Sequence, residues 1–360
     1  MATETEALSK MVPPGQVRPN KPRGGVIQIL VTSSCNLSCF GCTQASNLSR
    51  KPWYMTPDQF ETACKSLAGY WGIIGTFGGS PCLSPHFNDY CEILRSHFPK
   101  DQCGLWANAL FGKGAEARKT YNPSVSNLNV HLDQKAYDEF KRDWPESRPF
   151  GLHQDSRHSP PFVAMRDVLK KPCPDCNGTG RHDPDVPVSY DPEFQRCECC
   201  NGGKVYDESL AWELISKCPI NQHWSALVGV FRGELRAWFC EIAGAQSILH
   251  QDDPDYPDTG IRPSIEPTGR DTDNWQPWWT LPMQSFISQV RKHCHDCGVP
   301  MQGYGQLAQG SEDQPEQVSK THADLYNPKR KGRTVELVVF REQLGKTLAL
   351  ATDYLGNAKR

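Results

Sequence analysis

The sequence predicts an α/β protein built on a parallel sheet, and three features carry that expectation. Short apolar, β-branched runs alternate with stretches of helical periodicity. That alternation is the signature of right-handed βαβ units, which make parallel sheets. The segments following the runs are rich in glycine or cysteine, and they fall where parallel sheets place their chemistry, beyond the carboxyl ends of the strands.

Residues 1–23 are polar and proline-containing, with no apolar run behind their charges. They are expected to form a flexible leader and not a signal peptide. The run 27–32 (IQILVT) reads as a buried strand that delivers the chain into a cysteine loop at 33–44. Thr56-Pro57-Asp58-Gln59 opens a helix that continues through Phe60, Ala63, Leu67 and Tyr70. A strand at 73–77 ends in Gly78-Gly79-Ser80-Pro81, and a helix follows at 86–97. Further strands are expected at 104–107 and 128–132, with a helix at 135–143. Regular structure resumes with a helix at 210–217. Strands at 225–231 and 235–239 form a hairpin turning at Arg232-Gly233. Residues 251–276 read as loop, 284–294 as helix and 335–340 as a late strand behind the basic run Lys329-Arg330-Lys331-Gly332-Arg333, itself expected to be solvated.

Composition excludes some partners. The 39 Lys and Arg nearly balance the 41 Asp and Glu, and a net charge of −2 gives no overall pull toward nucleic acid or an anionic membrane. No apolar stretch is long enough for a spanning helix, so a cytoplasmic protein with no membrane partner is expected.

Cysteine is the outlier, at 16 of 360 residues. In a reducing compartment these thiols do not imply a disulfide framework, and their grouping points to metal. Cys35, Cys39 and Cys42 form a CxxxCxxC in one short loop. A tetrahedral zinc site wants four ligands and no fourth lies nearby; three thiolates suit a [4Fe–4S] cube with one iron left open. Cys173, Cys176, Cys197 and Cys200 make two copies of CxxCxG, with Cys199 as a spare thiol able to compete with Cys197 or Cys200. Four sulfurs at that spacing make a closed, structural zinc site, with an iron–sulfur cluster as the alternative. Cys218, Cys240, Cys294 and Cys297 are a later set; a second cluster and a second zinc both fit it. His293 and His295 flank Cys294, placed to support it or substitute for a ligand. Cys64, Cys82, Cys91 and Cys103 lack metal spacing and read as buried hydrophobes.

The CxxxCxxC loop after a strand resembles the radical S-adenosylmethionine (radical SAM) superfamily. The resemblance implies a partial (β/α)6 TIM-like barrel. It also implies a [4Fe–4S] cluster on Cys35, Cys39 and Cys42 that chelates S-adenosylmethionine and cleaves it reductively to a 5′-deoxyadenosyl radical. Gly78, Gly79, Ser80 and Pro81 stand where the family carries Gly-Gly-Glu-Pro, so they are expected to face the SAM ammonium, with Ser80 replacing the usual Glu. Asn108 sits like the family's polar residue that reaches the ribose or carboxylate of SAM. Phe40 lies one place before the usual aromatic, which contacts the adenine side. The two CxxCxG units resemble half of the cysteine-rich zinc module of DnaJ-type chaperones. The order Cys218, Gly233, Cys240, then Cys294-His-Asp-Cys297 resembles the twitch or SPASM auxiliary-cluster extensions of radical SAM enzymes.

Five segments follow: a leader at 1–23, a barrel core at 24–171, a zinc insertion at 172–206, remaining barrel elements with the auxiliary-cluster region at 207–310, and an extension at 311–360. The function implied is hydrogen abstraction from a peptide or small metabolite, leading to oxidation, crosslinking or epimerisation. A low-potential donor of flavodoxin or ferredoxin type would supply the electron. A tRNA- or DNA-modifying enzyme and a non-catalytic zinc adaptor are the alternatives; charge argues against the first and the intact CxxxCxxC against the second. No residue is marked as a general acid, base or radical quencher.

Overall fold

A computed structural model of the protein describes residues 2–16, 25–35, 42–44, 46–49, 51–107, 113–128, 138, 141–142, 144–145, 162–179, 181, 197, 199–223, 225–265, 276–301 and 321–322. The central element is strand β1 (Val26–Thr32), every residue of which is buried. Burial on both faces is what a parallel strand covered by helices requires, and it explains why the segment reads as a continuous apolar run. β1 pairs in parallel with β2 (Ile73–Gly78), which pairs in parallel with β3 (Cys103–Ala107), and that in turn with β4 (Asn127–Leu128). On its other side β1 pairs in parallel with β7 (Ser225–Phe231), and β8 (Glu234–Trp238) folds back antiparallel on β7. The sheet order is therefore β4-β3-β2-β1-β7-β8. It is a mixed α/β fold on a mainly parallel sheet, open among the described residues. Its first strand lies in the middle because the late hairpin adds to β1.

Local chemistry accounts for the elements. Helix α2 (Pro57–Lys65) starts at Thr56, whose hydroxyl accepts from the Gln59 N–H while the Gln59 side chain accepts from the Thr56 N–H, a capping box with Pro57 at the first turn. It ends at Ser66, short of the expected Tyr70. Leu67 and Tyr70 are buried beyond the helix, where the Tyr70 hydroxyl donates to the Gly25 carbonyl. Helix α3 (Phe87–His97) buries Phe87, Tyr90, Cys91 and Leu94, one helical face. The β7–β8 hairpin turns through Arg232 at φ 50° and Gly233 at φ 83°, two left-handed residues as its twist demands. The expected strand at 128–132 is seen only at its first residue, and the expected helix at 135–143 and strand at 335–340 fall wholly or largely outside the described residues.

Two expectations are corrected. Residues 2–16 of the supposed flexible leader are folded against the domain. Helix α1 (Glu4–Lys10) carries its own capping box and buries Ala7 and Leu8, followed by buried Met11, beside α6 (Glu208–Ser216). Arg291 grips the Glu4 carboxylate through two N–H groups at 2.8 Å, and Asn221 exchanges hydrogen bonds with both backbone groups of Val12. The partners lie more than 200 residues away, so local polarity concealed the docking. The segment 284–294 is not one regular helix. It passes from a 3-10 turn (Met283–Phe286) through one α turn (Ile287–Gln289) to a π turn (Val290–Cys294). Gln289 causes the departure: its amide donates to the carbonyls of Ala237 and Thr259 and its oxygen accepts from the Phe239 N–H, all at 3.0–3.1 Å. Among the described residues no helix is long and apolar enough to cross a membrane.

The docking of α1 is testable. Leu8→Ala should destabilise the protein by about 2–4 kcal/mol, the cost of truncating a buried leucine. Urea unfolding would measure it, and an unchanged midpoint would mean that the helix does not pack in solution.

Candidate metal centres

The first cysteine loop leaves the carboxyl end of β1. The strand's register against β2 skips at Val31, so that Leu30 faces Phe77 and Thr32 faces Gly78, a bulge that turns the chain out of the sheet. Thr32 fixes the exit: its hydroxyl donates to the Trp53 carbonyl at 2.8 Å and accepts from the Ser34 N–H at 2.9 Å. The Ser34 hydroxyl pairs with that of Tyr54 at 2.8 Å, and the Met55 N–H donates to Val31. The stretch Trp53–Tyr54–Met55 thus runs back along the strand end and braces the base of the loop. Nothing in its local sequence marks that role.

The Gly-Gly loop closes on the same place. The Gly79 N–H donates to the Thr32 carbonyl and the Ser80 N–H to the Ser34 carbonyl, at 3.0 and 2.7 Å. A Cβ on Gly79 would stand 2.2 Å from the Ser34 oxygen and 2.8 Å from the Cys35 Cβ, and Gly78 sits at φ 152°. Only glycine permits this approach. Cys35 and Cys42 are half-buried, while Cys39, Phe40 and Asn108 lie outside the described residues. Ser80 is completely buried and its hydroxyl has no hydrogen-bond partner among the described residues. An orphaned buried hydroxyl on the segment that abuts the cysteine loop fits a site awaiting a polar ligand. Pro81 opens a short 3-10 turn behind it.

The second group lies on a two-stranded antiparallel hairpin, β5 (Lys170–Pro172) and β6 (Lys204–Tyr206). Cys173 Sγ is 3.9 Å from Cys197 Sγ, and Cys176 Sγ is 3.6 Å from Cys200 Sγ, with all four within 4.8 Å of one another. Zinc–sulfur bonds of about 2.3 Å in a tetrahedron put the sulfurs about 3.8 Å apart, so the spacing matches one ion. Asn177 at φ 50°, and Gly178, Gly202 and Gly203 at φ 81°, 59° and 82°, make the left-handed turns that bend each knuckle. Cys199 is exposed, yet its sulfur lies 3.4 Å from Cys197, and it forms a further possible ligand group with Cys173 and Asp175. A hydrogen bond to the Asp175 carboxylate, then one to Cys197, holds its pKa up at about 12 without metal; burial first, then sharing with Cys197, does the same at Cys200. A cation would remove that penalty by taking the thiolates as ligands.

The late cysteines converge from three segments. Cys218, Cys240, Cys294 and Cys297 line one small apolar cavity together with Met11, Phe239 and His293. No three of them close to the mutual spacing of the knuckle sulfurs; a cube holds its thiolates further apart than a single ion does. Cys240 stands at the N-cap position of helix α8 (Glu241–Leu249), beside its first turn. Burial, then repulsion among the group, pushes the thiols of Cys240, Cys294 and Cys297 well up. Thiolates there call for a cation. The π turn lets both His293 and Cys294 line the cavity. His293 is neutral, its pKa driven down to about 3 by burial, and Ser247 and Thr259 hydroxyls lie 3.1 Å from its Nε2. It braces the wall and is turned toward those hydroxyls.

Strand direction separates the sites. Cys218 precedes the start of β7 and Cys240 follows the end of antiparallel β8, so both lie at the sheet edge where β1 begins. The contact between Gln28 of β1 and Glu241 places them there too. Cys35 lies beyond the other end of β1, which at about 3.3 Å per residue is roughly 20 Å long. Cys64, Cys82, Cys91 and Cys103 are buried in the hydrophobic core.

No family model matches the chain. It is 30% identical over 113 residues to the probable GTP 3′,8-cyclase of Methanocaldococcus jannaschii, which is 30% of this chain and 36% of that protein. The crystal structure of BtrN in complex with AdoMet and 2-DOIA aligns over 64% of this chain and 83% of its own, at 16% identity and a TM-score of 0.36.

Gly79→Ala should push the two loops apart and cost about 1–3 kcal/mol, as overpacking against backbone does. Urea unfolding and the alkylation rate of Cys35 would register it; wild-type values for both would refute the close approach. The motif resemblance and the sequence match agree, and the chain's resemblance to the radical SAM superfamily stands on both.

Proposed function

We propose that the protein is a radical SAM enzyme whose cofactor is held at the carboxyl edge of the sheet. The observation that carries this reading is the seating of the Gly78-Gly79-Ser80 loop directly against the base of the CxxxCxxC loop. Cys35, Cys39 and Cys42 would hold a [4Fe–4S] cluster, which when bound supplies one-electron cleavage of S-adenosylmethionine to a 5′-deoxyadenosyl radical. The chain's own contribution is to bind and orient. Gly78 and Gly79 bring backbone to the cofactor without a side chain in the way. The buried hydroxyl of Ser80 supplies a neutral hydrogen-bonding group where a carboxylate would supply charge, so part of the ammonium recognition passes to backbone carbonyls. Asn108, which follows β3 in the sequence, would add a polar group for the ribose or carboxylate of S-adenosylmethionine.

The knuckle residues Cys173, Cys176, Cys197 and Cys200 fit zinc by spacing, and a closed four-sulfur site has no open position for chemistry. It is a staple for an insertion too small to have its own core. Cys218, Cys240, Cys294 and Cys297 fit a second cluster, fully ligated by protein, that exchanges electrons with a substrate-derived radical. A net oxidation of a peptide or small metabolite follows from that pairing. The cyclase's own substrate is not carried over, since the chain spans only about a third of that relative. The organisation is a partial barrel core at 24–171 with the zinc insertion at 172–206, and the electron would come from a flavodoxin or ferredoxin type donor.

Two measurements test the assignment. With dithionite and S-adenosylmethionine, the anaerobically reconstituted protein should release 5′-deoxyadenosine, and the Cys35→Ala/Cys39→Ala/Cys42→Ala variant should release none; cleavage by the triple variant would sink the reading. Metal analysis should find about eight irons and one zinc per chain, falling to about four irons with zinc retained in Cys294→Ala/Cys297→Ala, by the stoichiometry of cubes and tetrahedra.

A further inference from the structure

The zinc hairpin does not hang free of the domain. It is clamped onto the turn Cys294-His295-Asp296-Cys297, and every grip comes from residues leading into or out of the knuckles. Tyr206, the last residue of β6, places its hydroxyl 2.6 Å from His295 Nδ1. Helix α5 (Met165–Val168) leads directly into β5, and the Arg166 N–H donates to the His295 carbonyl at 3.1 Å while its guanidinium pairs with the Asp296 carboxylate. Trp212 of α6, which follows β6, meets the His295 ring edge-on at 4.5 Å between centroids. The two feeding segments are themselves tied together, the Asp207 N–H donating to the Leu169 carbonyl at 3.1 Å and Lys171 pairing with Asp207 at 3.5 Å. Both spacer residues of the CxxC are thus held from outside, and His295 is buried with its Nδ1 facing the phenol.

We propose that Tyr206 is a positioning residue for the late metal centre, and that zinc in the knuckles fixes the geometry of that centre through it. This rests on the reading of Cys218, Cys240, Cys294 and Cys297 as cluster ligands. The physical case is that a CxxC turn sets its two sulfurs by the conformation of its two spacers, and partners one step from the ligands tune a metal's properties. The hairpin strands are only three residues long on each side. Such a ribbon is marginal on its own; the four cysteines beyond its other end, past Pro172 and before Lys204, would lock it once an ion joins them.

Tyr206→Phe keeps the ring and removes the one hydroxyl. Its effect is read on the zinc-loaded protein in two ways: hydrogen exchange of the backbone amides at 294–299, and the low-temperature EPR signal and midpoint potential of the late cluster. Exchange there should quicken by about tenfold, the worth of one buried hydrogen bond. The late cluster's g-values and potential should shift, with the zinc count and the signal of the Cys35 site unchanged. Cys173→Ser/Cys176→Ser, which empties the knuckles, should reproduce both changes. If neither variant alters exchange at 294–299 or the late signal, the coupling does not exist. If wild type and Cys294→Ala/Cys297→Ala carry equal iron, the cluster reading of the late site fails; the exchange comparison still decides whether the hairpin positions the turn.

Discussion

The architecture depends on the bonding of β1 along both of its edges. A strand paired in parallel with β2 on one side and β7 on the other, and buried over its whole length, cannot shift register without exposing apolar residues or breaking two ladders at once. That rigidity reaches function in two directions. At the carboxyl end, the bulge at Val31 and the hydroxyl of Thr32 aim the cysteine loop toward the Gly-Gly loop of β2. At the amino end, pairing with β7 draws in Cys218, which precedes β7, and Cys240, which follows its hairpin partner.

The three cysteine groups obey different physics. The knuckle sulfurs lie at the spacing of one small ion, are joined by left-handed turns and need no sheet to assemble. The late sulfurs come from three segments, stand further apart and meet in a cavity that Met11, Phe239 and His293 also line. The first group is intermediate: its spacing is local, but its setting is made by a neighbouring strand. At Cys240, Cys294 and Cys297 of the late group burial raises the cost of the thiolate, a demand that a bound cation would satisfy.

Much of the candidate chemistry is legible from residue spacing because metal ligands bunch within short loops. CxxxCxxC and the paired CxxCxG units are visible at once, and so are the Thr56 capping box, the Arg232-Gly233 hairpin and the buried strands. Other features leave no local trace. Trp53 and Tyr54 belong to no element that the sequence marks, yet they brace the base of the cysteine loop by antiparallel contact with β1. Glu4 and Lys10 give the amino-terminal segment a solvated appearance, while Ala7, Leu8 and Met11 fasten it to the domain. Gln289 reads as one polar residue of a helix and in fact holds three backbone groups.

By itself the sequence determined the alternation of strands and helices, the three cysteine groupings and the Arg232-Gly233 turn. Each of these follows from interactions within a few residues: periodic burial, cap and turn chemistry, and the bite of neighbouring thiols. Only the tertiary structure decided that β1 is central, that the late cysteines gather at the opposite edge from Cys35, and that the β5–β6 cysteine hairpin grips the spacer of the last CxxC. Those facts rest on pairings between residues tens to hundreds of positions apart. Such contacts are chosen by packing and hydrogen-bond satisfaction over the whole chain, which no local pattern encodes.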